Sequence, residues 1–105
     1  MRGRHSARIT SNAVTQVSGN KVHVGRLIVS NNDSAIRFLQ LFNALSANIV
    51  LGTTVPVASI QFAANTPLSL NMGDAEFATG FSYAVTTTEL GSTGPTSVWV
   101  TTVFK

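Results

Sequence analysis

The chain has 105 residues, of which 44% are hydrophobic and only 10% are charged, and it contains no cysteine. This length fits one domain with its own core, and the lack of cysteine excludes disulfides, thiolate metal sites and cysteine nucleophiles. A free monomer normally carries more surface charge, so we expect other chains to cover much of this surface. We also expect no signal peptide and no membrane span, because no apolar run is long enough for either.

The charges are unevenly distributed along the chain. Residues 1–37 hold six of the seven cations beside a single acid, whereas Lys105 is the only cation after them. A basic segment of this kind binds an acidic protein surface or nucleic acid, or else it is a solvated, frayed terminus. Because MRGRHSAR has no apolar pattern, we assign residues 1–8 to an extended basic arm and residues 9–105 to the folded domain. Arginine forms paired hydrogen bonds with carboxylates, and the predicted partner-binding residues are Arg2, Arg4, Arg8, Arg26 and Arg37.

The first half of the domain reads as short strands separated by turns. KVHVGRLIVSNN alternates as a strand with a bulge at Gly25, and SNNDS is a turn. IRFLQLF is apolar on both faces, which fits a strand covered on two sides or a helix over residues 34–45. NIVLG and PVASIQF are further strand candidates, and a hairpin through NALSAN would join IRFLQLF to NIVLG.

The second half repeats the same organisation. LSLNMGD is a strand that runs into a turn, FSYAVTTT is aromatic and β-branched, and SVWVTTVFK closes the chain as a strand. Turn signals recur about every 8–12 residues, and Thr, Val, Ser and Asn dominate over helix-forming residues. The sequence therefore predicts an all-β fold, a single-domain β-sandwich of jelly-roll type with roughly seven to nine strands.

No residue pattern points to catalysis. His5 falls in the basic arm, His23 lies within a strand, and Asp74 and Glu76 read as solvated acids at a turn. The glycine-containing stretches LGTT and GSTGP lack the lysine of a phosphate loop, and the four acids have no metal-ligand spacing. We therefore expect no enzymatic activity, no cofactor and no metal.

Trp99 and Tyr83 are candidates for a sugar-binding or base-stacking platform, although an aromatic residue on a strand is more often part of the core. A platform for single-stranded nucleic acid interleaves cations with aromatics. Residues 38–104 contain no lysine or arginine, so we expect no nucleic-acid partner.

An ordered series of motifs resembles small β-rich virion proteins of tailed bacteriophages. The segments are LIVSNNDSAIRFLQLFNA, VLGTTVPVASI and FATGFSYAVTTT, followed by the terminal Phe104 and Lys105. The matching features are a strand ending in Ser30 and Asn31, then residues 37–43, 51–56 and 77–86. The resemblance covers about residues 22–105 and leaves the arm out. It implies a β-sandwich in which Arg37 points outward and Phe38 inward, with the second apolar face against the other sheet or a partner subunit.

The resemblance also implies a structural role in the virion. We expect a decoration (cement) protein that binds the outer head surface and stabilises it as a homotrimer. Its partners would be copies of itself and the major capsid protein or another virion protein. The alternatives are an adhesive tail, baseplate or fibre module, and a carbohydrate-binding module that uses Trp99 or Tyr83.

Overall fold

The computed structural model describes residues 3–105. These residues form eight β-strands and one short 3₁₀ turn, Ser46–Asn48. The strands are β1 Gly3–Ile9, β2 Thr15–Ser18, β3 Val22–Asn31, β4 Arg37–Phe42, β5 Ala58–Phe62, β6 Thr66–Phe77, β7 Phe81–Thr86 and β8 Val98–Phe104.

The strands build two four-stranded antiparallel sheets. Sheet A has the order β1-β8-β3-β6 and sheet B the order β2-β7-β4-β5. First pairs with last, second with seventh, third with sixth and fourth with fifth, as in one long hairpin rolled into two layers. This nested pairing is that of an eight-stranded jelly roll, so the predicted all-β sandwich is confirmed.

The core lies between the two sheets and follows the period-two alternation of the strands. In β3 the side chains of Leu27 and Val29 are buried, whereas Arg26 and Ile28, which alternate with them, are exposed. Val100 of β8 faces the same core, which sheet B completes with Tyr83 and other buried apolar residues. Burying each large apolar side chain contributes roughly 1.5–3 kcal/mol, which fixes which face of each strand points inward.

Strand β4 forms as predicted, and the alternative helix over residues 34–45 does not. The predicted orientation of its side chains is wrong. Leu39 and Leu41 are buried in the core between the sheets, so Phe38 and Phe42 lie on the opposite, outer face of sheet B. Arg37 lies on the same side of the strand as the two leucines, at the strand end, where its Nε is 2.8 Å from Asp33 Oδ2.

The outer face of sheet B is covered by the chain's own connections. Ile49 and Leu51, from the connection between β4 and β5, pack with Phe42 and Ala84 in a second apolar cluster. From the connection between β7 and β8, the carbonyl of Gly91 accepts a hydrogen bond from the buried Gln40 amide at 3.1 Å. All six residues of β7 are consequently buried.

This cover corrects the prediction for NIVLG. The segment is not a strand and no hairpin forms through NALSAN, because residues 43–57 cross the sheet as a 3₁₀ turn and further turns. The crossing is anchored by the Ser46 backbone N–H, which donates to Gln16 Oε1 at 2.9 Å. Residues 43–57 thus bury the apolar outer face of sheet B, which would otherwise be exposed to water.

The predicted basic arm also differs from what is observed. Within residues 1–8, residues 3–8 belong to β1, which pairs with β8 in unbroken register. His5, Ala7 and Ile9 alternate with exposed arginine and serine positions, so the segment has the period of a half-buried strand. The boundary placed between residues 8 and 9 therefore falls inside a strand.

Two irregularities shape the edge of sheet A. The predicted bulge at Gly25 is confirmed, because the pairing of β3 shifts between Val24 and Arg26. The turn expected after LSLNM is instead part of β6, where Gly73 and Asp74 adopt positive φ angles of 62° and 57°. The long strand continues past this kink to Phe77.

Candidate functional site

The outer face of sheet A is an open surface built from three rows of side chains that cross its four strands. Residues paired side by side in an antiparallel sheet share a face, so the register defines each row. In the order β1, β8, β3, β6, the rows are Arg4, Val103, Arg26, Asn71; Ser6, Thr101, Ile28, Ser69; and Arg8, Trp99, Ser30, Pro67. We call these twelve residues the basic face.

The arginines of the basic face bond to neutral groups. Arg26 Nη1 donates to Ser69 Oγ at 2.6 Å, and Arg8 Nε donates to Ser97 Oγ at 3.2 Å. Within residues 3–105, the ion pairs are Lys21–Glu76, His23–Glu76, Arg37–Asp33 and Lys105–Asp74. None of these four ion pairs includes Arg4, Arg8 or Arg26, so the guanidinium groups of the basic face keep donors for an anionic partner.

Trp99 is the largest apolar side chain on the basic face and is 46% exposed. It lies between Arg8 and Ser30 on the neighbouring strands, and Ile28 is exposed in the next row. Tryptophan and arginine dominate binding hot spots, while Lys, Asp and Glu are depleted in interface cores. The composition of this face is that of a protein-binding surface.

A shallow depression of about 440 Å³ opens at one end of the basic face. Arg4 and Arg26 line it across Val103, and the backbone of Gly25 and Gly73 leaves it wide. Asp74 stands at its rim, where its carboxylate lies 3.3 Å from Lys105 Nζ.

The predicted partner-binding residues thus divide into three groups. Arg4, Arg8 and Arg26 come together on the basic face, whereas Arg2 lies outside the described residues. Arg37 is corrected to a structural residue, because its guanidinium is half-buried and Nε donates to Asp33 Oδ2 at 2.8 Å.

Asp33 organises a buried polar cluster around Arg37. Its carboxylate also accepts hydrogen bonds from the backbone N–H groups of Thr96 at 2.9 Å and Ser97 at 2.7 Å. Burial raises the pKa of this carboxyl, but the two backbone donors and Arg37 outweigh it, so the pKa lies below its ordinary value. The backbone N–H of Asn65 donates to the Asp33 carbonyl, so the cluster fastens three connections of the sandwich together.

The other candidate residues are Tyr83, His23 and His5. Tyr83 is fully buried, and burial raises its pKa to about 12, with a small opposing effect from the Thr15 side chain. Tyr83 therefore cannot present its ring to a glycan, which corrects half of the predicted aromatic platform. His23 lies 3.4 Å from Glu76, whereas His5 faces inward. Residues 3–105 contain no cluster of three metal-ligating side chains. Over the same residues, the structure has no helix with the length and apolarity of a membrane span.

The proximity of Trp99 to the arginines was missed from the sequence. The two kinds of residue come from opposite ends of the chain, and only the pairing of β1 with β8 brings them together. The sequence does carry a signal for this arrangement, because RHSARI alternates polar and apolar residues as a strand does.

Comparison with known proteins gives little further guidance. No protein-family model matches the chain, and no curated protein matches it. Among solved structures, the coat protein of Tobacco streak virus is similar to it over 99% of this chain and 84% of that one. The sequence identity is 9% and the TM-score 0.45, so the fold assignment rests on the strand order alone.

Proposed function

We propose that this protein is a non-enzymatic structural component of a bacteriophage virion, and that it is a decoration (cement) protein on the outer head surface. Three observations support this. The strand order is that of a jelly roll, an architecture used by viral capsid domains. The motif series of residues 22–105 resembles small phage virion proteins. The third is the basic face, and the proposal depends mainly on it. It is an uncovered sheet surface that combines arginines with an exposed tryptophan, as protein interfaces often do.

The basic face would contact the major capsid protein or another virion protein. A protein that binds only the assembled shell stabilises the shell by mass action. Each exposed ion pair contributes only about 0–1 kcal/mol, but the stabilisation of the shell is summed over many bound copies.

Self-association into a homotrimer would use a different surface. Val50, Val55, Val57 and Leu90 are exposed on the connections that cover sheet B, and Val55 is 81% exposed. Exposed apolar side chains concentrated on neighbouring connections are typical of interaction sites.

Two other functions remain open to test. A tail, baseplate or fibre module would use the same basic face in a handful of copies. A carbohydrate-binding module would use Trp99, which is exposed on a flat sheet as a sugar platform requires.

Cryo-electron microscopy of the particle that carries this protein separates these proposals. Hundreds of copies on the head, with sheet A toward the shell, would support decoration. A few copies on the tail would support the tail module instead. Absence of the protein from purified particles would contradict a virion role of either kind.

A further inference from the structure

We infer that the partner of the basic face is a different protein that presents carboxylates to Arg4, Arg8 and Arg26 and apolar groups to Trp99. The location of this partner in a virion rests on the proposed function, but its chemistry is argued from the face itself.

The charges of the chain argue against a second copy as the source of these carboxylates. The protein has four acidic residues, of which Asp33, Asp74 and Glu76 already pair with Arg37, Lys105 and Lys21. Glu89 is the one acid left without an ion pair among residues 3–105. A second copy thus offers one unpaired carboxylate for three guanidinium groups and would have to give up exposed ion pairs of its own, so an acidic chain of another kind fits better.

Nucleic acid is the other polyanion that could bind this face. The sequence argued against it because residues 38–104 have no cations among their aromatic residues, but the fold brings arginines from β1 and β3 onto the same face as Trp99. Arg8 lies directly across from Trp99, so cations and an aromatic residue do interleave on this face. Stacking platforms for single strands, however, carry several aromatic side chains for successive bases. The basic face has one, and Val103 and Ile28 lie between the cations where a phosphate backbone would pass.

A protein surface fits this mixture better. Each guanidinium group pairs with a carboxylate through two hydrogen bonds, while Trp99 and Ile28 bury apolar side chains. Arg4 and Arg8 are four residues apart on one strand, which places their Cα atoms about 13 Å apart. An extended acidic segment with carboxylates at positions i and i+4 matches this spacing.

The test is an NMR titration of the whole 11.1 kDa chain labelled with ¹⁵N. The probes are a decaglutamate peptide and a twelve-residue oligothymidylate, at low and physiological salt. We expect decaglutamate to shift the side-chain N–H signals of Arg4, Arg8, Arg26 and Trp99 more than those of other residues. The double variant Arg8→Gln with Arg26→Gln should weaken decaglutamate binding about fivefold, because two exposed ion pairs are lost.

Lys21→Gln provides the matched control, since it removes a cation whose side chain is 61% exposed and lies outside the basic face. It should leave decaglutamate binding unchanged within a factor of two. Shifts spread equally over Lys21 and Lys105, or equal weakening by the control, would overturn the inference. Tighter binding of oligothymidylate at equal charge, with Trp99 as the most shifted signal, would replace it with a nucleic-acid surface.

Failure of this inference can be told apart from failure of the proposed function. If the double variant folds but is incorporated into particles as well as the wild type, the virion role stands and the face is not the contact. If decaglutamate binds as expected while purified particles lack the protein, the partner chemistry stands and the virion role does not.

Discussion

The outer faces of the two sheets differ in how far they are buried. Sheet B is covered on its outer side by residues of the chain's own connections, so Phe42 and Gln40 are buried there as well as Leu39 and Leu41 on the inner side. Sheet A has no such cover: Arg26, Ile28 and Trp99 on its outer side remain exposed. Strand β4, which is apolar on both faces, is thus buried within one chain in sheet B, whereas the outer face of sheet A stays exposed.

This difference also accounts for part of the unusual composition. With 10% charged residues, the chain appears too apolar for a free monomer. Some of those apolar side chains, including Ile49 and Leu51, cover sheet B rather than contact another protein. Three of the arginines, Arg4, Arg8 and Arg26, lie on the outer face of sheet A, where no such cover exists.

The largest effect is expected from truncating a side chain that lies beneath the cover of sheet B. Phe42→Ala leaves a cavity at a side chain that is 2% exposed, and should lower the free energy of unfolding by about 3–5 kcal/mol. Ile28→Thr, on the open face of sheet A, keeps a β-branched residue and should cost about 1 kcal/mol at most. Urea denaturation measures both, and equal losses would contradict the contrast between the faces.

The next largest loss of stability is expected at Asp33, whose buried carboxylate accepts three hydrogen bonds. Asp33→Asn should lower the free energy of unfolding by about 2–3 kcal/mol at pH 7. Because the pKa in the folded state lies below the ordinary 3.8, the carboxylate stabilises the fold above that pH. This stabilisation is lost as the pH falls through the folded pKa, so the difference from the wild type should shrink in acid. Glu89→Gln is the control, and a wild-type pH profile in Asp33→Asn would count against the prediction.

A smaller effect is expected where the connection between β7 and β8 passes close to another loop. A Cβ atom at Gly94 would collide with the backbone of Ser11 and Asn12. Gly94→Ala should therefore cost about 1–3 kcal/mol in thermal or urea unfolding, since backbone on both sides must shift. Ser92→Ala, in the same connection, is the comparison, and an equal cost would show that the approach is not tight.

The smallest effect on stability is expected on the basic face. Arg8→Gln and Arg26→Gln remove exposed cations whose contacts are hydroxyl groups, so each should change the free energy of unfolding by less than about 0.5 kcal/mol. Stability that fell by several kcal/mol would make these arginines part of the fold rather than of a binding surface.

The sequence predicts more of the fold than of the site. Turn spacing and β-branched composition are local properties, and they were sufficient for an all-β sandwich, for strand β4 and for the bulge at Gly25. The orientation of Phe38 was wrong because both faces of RFLQLF are apolar, so the pattern alone cannot say which face meets the core. The pattern of NIVLG predicts a strand, because a short apolar run has the same composition whether it pairs in a sheet or packs over one.

The site depends on contacts between distant parts of the chain. Arg4 and Arg8 were selected for their charge, but their position beside Trp99 follows from the register of β1 with β8. Arg37 has the same charge and a different role, because Asp33 is within reach four residues earlier. Neither fact is a property of composition or spacing within one segment.

The nested pairing of the strands also has a consequence for how the basic face comes into being. Its row of Ser6 and Thr101 joins residues 95 positions apart, so closing this contact costs an unfolded chain more entropy than closing a hairpin does. Topologies with such distant partners fold in milliseconds to seconds. In a partly folded chain the arginines and Trp99 are therefore separated, and a partner that needs them together would retain only finished molecules. The order of the strands would thus make binding a check on the completeness of folding.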